Sequence, residues 1–162
     1  MNIRLNSFHF LFIFLTGLSF CMISCQNDQI FKDYKKISKQ SWNRFNILKF
    51  EIPVNDTQTP VDILLAIRHL PEFQIRELPV NVTIYMPSGE IRSAEDILRF
   101  KDKDGQILSE CLGDLCDISF TLRKGFVFQE PGKVRIEIEN KWPRVELPGI
   151  LEVGLLIRHS KD

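Results

Sequence analysis

The chain has no excess charge of either sign, with 21 basic and 21 acidic side chains in 162 residues. A basic field that would draw in nucleic acid is therefore missing, and so is an acidic tail. Histidine is scarce as well. Of the three present, only His69 and His159 lie beyond the N-terminal region. The nucleophile elbow Gly-x-Ser-x-Gly, the phosphate loop, His-Glu-x-x-His and Gly-x-Gly-x-x-Gly are all absent. A metal site built from the two histidines with Glu72 or Asp62 has no diagnostic spacing along the chain, so neither a metal nor a cofactor is expected. The acidic pairs Glu95-Asp96 and Asp102/Asp104 fall in turn-like segments and read as solvated. A glycosidase would need two carboxylates held across a cleft. The chain reads as a non-enzyme.

Long hydrophobic runs are also lacking. The apolar stretch Phe10 to Ser24 is fifteen residues, short of the roughly 17–25 that span a bilayer. Its flanks are informative instead. Arg4 and the amino terminus form a positive n-region, and Met22-Ile23-Ser24-Cys25 places a small residue directly before a cysteine. Polar Gln26-Asn27-Asp28-Gln29 follows at once. The expectation is a lipoprotein signal peptide over 1–24 with the lipid on Cys25. An uncleaved helix, a soluble secreted product, and lipid on Cys21 are the alternatives, although bulky Phe20 precedes Cys21. Each buried acyl methylene is worth about 0.8 kcal/mol, and a lipoprotein cysteine carries two or three chains. No further membrane segment is then required.

Removing residues 1–24 leaves about 138 residues, enough for one domain with a real core. Cys21 leaves with the signal, so Cys111 and Cys116 remain in Cys111-Leu112-Gly113-Asp114-Leu115-Cys116. An exported chain meets an oxidising compartment, and Gly-Asp suits a tight turn. A Cys111–Cys116 disulfide is expected, fixing a turn and adding about 2 kcal/mol in the chain-entropy model. Zinc would lack two ligands, and the spacing is not the redox Cys-x-x-Cys.

Residues 25–40 are polar and lysine-rich, with Phe31, Tyr34 and Ile37 isolated at spacings of three, and read as a lipidated tether. From Trp42 the pattern has period two, the mark of half-buried strands. Leu48, Phe50 and Ile52 alternate up to Pro53, which is read as a strand end. Val61–Ile67, Val80–Met86, Ile118–Leu122, Val134–Ile138 and Leu151–Ile157 repeat the pattern. Ser93 with Asp96 resembles a capping box, but Ser93–Phe100 also reads as a strand, in keeping with its neighbours. The fold class is all-β, an antiparallel β-sandwich of immunoglobulin-like or jelly-roll-like type, forming a single domain over 41–162.

Two further features stand out. Leu64-Leu65-Ala66-Ile67-Arg68-His69 echoes Gly154-Leu155-Leu156-Ile157-Arg158-His159, which reads as two similar strands whose Arg and His emerge into solvent. Trp142-Pro143-Arg144 interrupts a strand, and proline is confined to edges or bulges. An aromatic and an arginine are thereby displayed near a sheet edge, and these residue types are enriched at binding hot spots. A tryptophan plugging the sandwich end is the alternative.

Taken in order, Ile67-Arg68-His69, Glu72-Phe73, Leu78, Pro87-Ser88-Gly89, Gly105, Gly113-Asp114 with Asp117, Phe128, Gly132, Leu147-Pro148-Gly149-Ile150 and Val153-Gly154 resemble the gliding motility lipoprotein GldH family of Bacteroidetes. The likeness runs from about Trp42 to the C-terminus. Family members tend to carry Met-Arg in place of Trp142-Pro143-Arg144 and asparagine in place of Glu77, and the cysteine pair is not a family hallmark. The resemblance implies a non-enzymatic, structural or assembly lipoprotein of gliding motility and the linked type IX secretion machinery. It would lie in the cell envelope, on the outer membrane facing the periplasm. Its expected partners are the membrane, through the lipid, and other envelope proteins, with Trp142, Arg144 and Arg68 as contact candidates. An envelope ligand- or glycan-binding sandwich is the alternative, and it requires aromatics aligned on one exposed face.

Overall fold

The computed structural model describes residues 29–161. The expected signal peptide and Cys25 lie outside the described residues. The strands are β1 (Gln29–Lys36), β2 (Ser41–Asn43), β3 (Leu48–Val54), β4 (Val61–His69), β5 (Glu77–Tyr85) and β6 (Ile91–Arg99). They continue as β7 (Glu110–Leu112), β8 (Leu115–Phe126), β9 (Gly132–Asn140), β10 (Glu146–Pro148) and β11 (Ile150–His159). A five-stranded sheet has the order β1-β11-β4-β8-β7, and a four-stranded sheet the order β3-β9-β5-β6. A two-stranded ribbon, β10-β2, completes the structure, and every pairing is antiparallel. The expected all-β sandwich is what forms, and Ser93–Phe100 falls largely in strand β6.

The core follows the sequence period. Val134, Ile136 and Ile138 of β9 and Leu48, Phe50 and Ile52 of β3 point inward and are buried. Each such side chain contributes roughly 1.5–3 kcal/mol on leaving water. Pro53 does not end its strand, which runs on to Val54. Because β3 is an edge strand, a residue without an N–H can sit there without breaking a ladder on both sides.

The segment expected as a tether is, from Gln29 onward, part of the sandwich. β1 pairs with β11 from Gln29↔Arg158 to Lys36↔Glu152, and Ile37 is buried. Phe31 and Tyr34, three residues apart, fall on the two faces of an edge strand. Phe31 packs on the core, while Tyr34 lies outside, over Gly154. A Cβ at position 154 would meet the Tyr34 ring at 2.5 Å, which explains the glycine in the middle of β11.

The internal echo also has a structural form. Its two copies are neighbouring strands, and Leu65 of β4 pairs with Leu155 of β11, its own counterpart. A local two-fold axis therefore passes between them. Asp62 faces Arg158 at one end and Arg68 faces Glu152 at the other, with ion-pair distances of 3.5 and 3.3 Å. Acid and arginine thus clamp both ends of the central strand pair.

These registers define two ends of the sandwich. Gln29, Arg158, Asp62 and Phe126 lie at one. Lys36, Ile150, His69 and Cys116 lie at the other.

Candidate functional site

At the His69 end, the strand ends and the β9–β10 loop enclose a cleft of about 430 Å³. Its apolar lining comes from Leu70, Phe73, Ile75, Trp142 and Pro148, and Glu72, Arg144 and Glu146 supply charge. The wall is built outward from His69, which is only 1% exposed. Its Nδ1 lies 2.8 Å from the Leu70 carbonyl and its Nε2 lies 2.7 Å from Ser109 Oγ. A carbonyl can only accept, so Nδ1 donates there, and in the neutral ring Nε2 accepts from the hydroxyl. The imidazole packs against Phe73 and Phe100 at ring separations of 5.1 and 5.6 Å, and the two phenyl rings meet at 4.8 Å. The two contacts of Phe100 with these rings are edge-on and the His69–Phe73 contact is tilted, and such ring pairs fix positions beyond simple burial. The expectation that this histidine emerges into solvent is overturned. Position 69 has the parity of the inward residues Ile63, Leu65 and Ile67, and its ring caps the end of their row.

Gly149 closes the floor. It turns the chain from β10 into β11 at φ +91°, and a Cβ there would lie 3.2 Å from the Phe73 ring. Its N–H donates to Gln40 O at 2.8 Å, and its carbonyl accepts from Leu70 N at 2.9 Å. One residue without a side chain joins three segments, which accounts for Leu147-Pro148-Gly149-Ile150 as a unit.

The lip is set by buried Asn140. Its Nδ2 donates to the Trp42 carbonyl at 3.0 Å, and its Oδ1 accepts from Trp142 N at 2.7 Å. The loop is held again by Arg44 N donating to Val145 O at 2.9 Å. Trp142 is therefore fixed half-buried against the core, with part of the side chain left to line the cleft. It plugs the end and forms the site wall together. Glu146 accepts from Ser41 Oγ at 2.7 Å and Asn43 Nδ2 at 2.6 Å. Those two donors hold its carboxyl below the usual range. No partner holds Arg144 among the described residues.

The structure thus brings Trp142 and Arg144 to one cleft and leaves Arg68 out of it. Arg68 lies on the outer face of the five-stranded sheet, donating to both Asp117 oxygens at 2.8 and 3.0 Å and to Glu152 at 3.3 Å. That bidentate pairing raises its pKa and occupies the fork that a partner would use. Cys111 and Cys116 are joined by a disulfide across the β7–β8 hairpin, whose tip residue Leu112 is 89% exposed. His69, Phe73, Asn140 and Gly149 were not singled out as site residues. Asn140 had a readable signal, since it continues the inward period of Val134, Ile136 and Ile138 with a polar side chain. Among the described residues no group of three or more metal-ligating side chains converges. The exposed aromatics there are Tyr34 and Phe45. They lie on the outer sheet face and in the turn before β3, so no aligned aromatic row forms.

A family model described as GldH lipoprotein matches residues 29–157. The chain is 24% identical over 146 residues to the gliding motility lipoprotein GldH of Flavobacterium johnsoniae, covering 86% of this chain and 90% of that protein. No solved structure matches.

Proposed function

Since the chain belongs to the GldH lipoprotein family, we propose that it is a non-enzymatic assembly component of a gliding-motility and type IX secretion complex. It is carried on a lipid at Cys25 and engages a partner protein at the Trp142–Arg144 cleft. Family membership makes it a homologue of a gliding-motility lipoprotein, and being a lipoprotein implies attachment to a membrane of the cell envelope. The observation that carries the docking reading is the pairing of an apolar wall with an arginine that has no internal partner. An arginine left free beside a fixed tryptophan at the mouth of a cleft is the composition of a binding hot spot. The surroundings agree with this reading. Phe45, Ile47, Leu108, Leu112 and Val145, all exposed, lie around the same end. The outer-membrane, periplasm-facing location belongs to this proposal.

The test is capture of cross-linked partners from membranes holding the lipidated protein. Trp142→Ala and Arg144→Ala should each lose the partner while the protein stays membrane-bound. Retention in both variants removes the contact assignment. Removing the gene should impair surface spreading and secretion of type IX cargo, and normal values for both would remove the motility and secretion reading.

A further inference from the structure

We infer that the protein stands on its membrane on the Gln29 end, with the cleft held away from the bilayer and open to the aqueous compartment. This orientation rests on lipid attachment at Cys25. Gln29 is already the first paired residue of β1, so only positions 26, 27 and 28 separate the folded domain from the lipidated residue. Four Cα-to-Cα steps reach at most about 14 Å when fully extended. The strand next to β1 runs from Ile150 at the cleft to Arg158 beside Gln29, which is about 27 Å at strand rise. Turning the cleft onto the same bilayer would need roughly twice the available reach. Strand β1 cannot peel away to lengthen the leash without exposing Phe31 and breaking its ladder to β11.

The chemistry of the Gln29 end agrees with a lipid surface as its neighbour. Ile30, the second residue of β1, is 51% exposed there. Beside it opens a recess of about 120 Å³ whose apolar lining comes from Ile52, Val54, Val61, Phe128 and Ile157 and which also takes in polar groups, among them Asp56 and His159. Val127 adds a further exposed apolar side chain at that end. Exposed apolar groups within reach of the headgroups can bury area there at no ordering cost beyond that of the anchor. Lying on the β1 edge would leave Ile30 and Val127 largely in water and place both ends at equal height.

The orientation is tested with the lipidated full-length protein in phosphatidylethanolamine–phosphatidylglycerol vesicles carrying an energy acceptor on the headgroups. A single fluorophore is placed through Gln58→Cys at the Gln29 end or Phe45→Cys at the cleft end. Transfer from position 58 should exceed transfer from position 45 severalfold. Inserting about twelve Gly/Ser residues between Asp28 and Gln29, a flexible linker longer than the present reach, should shrink that difference. Equal transfer from both positions, or stronger transfer from position 45, overturns the orientation. A difference untouched by the insertion overturns the short leash as its cause. Flotation of the unlabelled protein with vesicles separates the premise from the inference. If the protein does not float, the lipid at Cys25 and the orientation fall together; if it floats with equal transfer, the orientation alone falls.

Discussion

At the Gln29 end, three carboxylates cap the turns from within the domain. Asp56 accepts from the N–H groups of Gln58 and Thr59 and from the Thr59 hydroxyl. Asp62 accepts from Gly125 N and Ser160 Oγ, and Glu130 accepts from Ser88 N. At the cleft end the same strands finish differently, with a wall of His69, Phe73, Phe100 and Trp142, an arginine without a partner, and exposed apolar side chains. The contrast separates two demands on one small sandwich. The closed end caps its turns with its own carboxylates and leaves Ile30 and Val127 exposed, while the open end adds a cleft and an arginine without a partner to its exposed apolar surface.

Three measurements would sharpen or break that contrast. The largest effect is expected from Phe73→Ala. Phe73 is 4% exposed between His69, Phe100 and Gly149, so its removal should cost about 3–5 kcal/mol in denaturant unfolding. A cost near zero would mean that the cleft wall is not part of the cooperative fold. Gly149→Ala should cost about 1–3 kcal/mol, because φ +91° strains any side chain there and Phe73 blocks its Cβ. A neutral result would show that the turn relaxes freely.

The smallest effect concerns the closed end. The N–H of Gly125, then the Ser160 hydroxyl and Arg158, hold the Asp62 carboxyl below its ordinary value of 3.8. A depressed carboxyl contributes stability that is fully present above the ordinary value and is lost as pH falls below it toward the folded value. Asp62→Asn should therefore lower the unfolding midpoint at neutral pH and flatten its fall on acidification below about pH 4. An acid slope equal to that of the parent would assign the closure of this end to other groups.

Much of this contrast was readable before the fold. Period two located the strands because each sheet has one wet face, and Trp142-Pro143-Arg144 marked the open end because proline breaks a ladder. Strand β1 was missed for a physical reason. An edge strand needs only one good face, and its lysines at positions 32 and 36 stand on the solvent side, as edge protection favours. His69 was misread because a strand-terminal histidine ordinarily emerges into water. Here its parity with Leu65 and Ile67 decides the matter, and Ser109, forty residues away, supplies the partner. No local pattern encodes that partner. Arg68 and Arg144 were equally plausible contacts in the sequence. They part company only when the sheet places Asp117 and Glu152 around the first.

The placement of β1 also has a mechanical consequence. Its first residue, Gln29, lies on the side of the proposed lipid at Cys25, and its ladder to β11 runs along the same axis that joins the two ends of the sandwich. On the proposed arrangement, tension between a lipid at one end and a partner at the other would be directed along that strand. The hydrogen bonds from Phe31 to Lys36 are then loaded side by side in shear, rather than opened one after another as in peeling. Geometry of this kind suits a joint that has to transmit force.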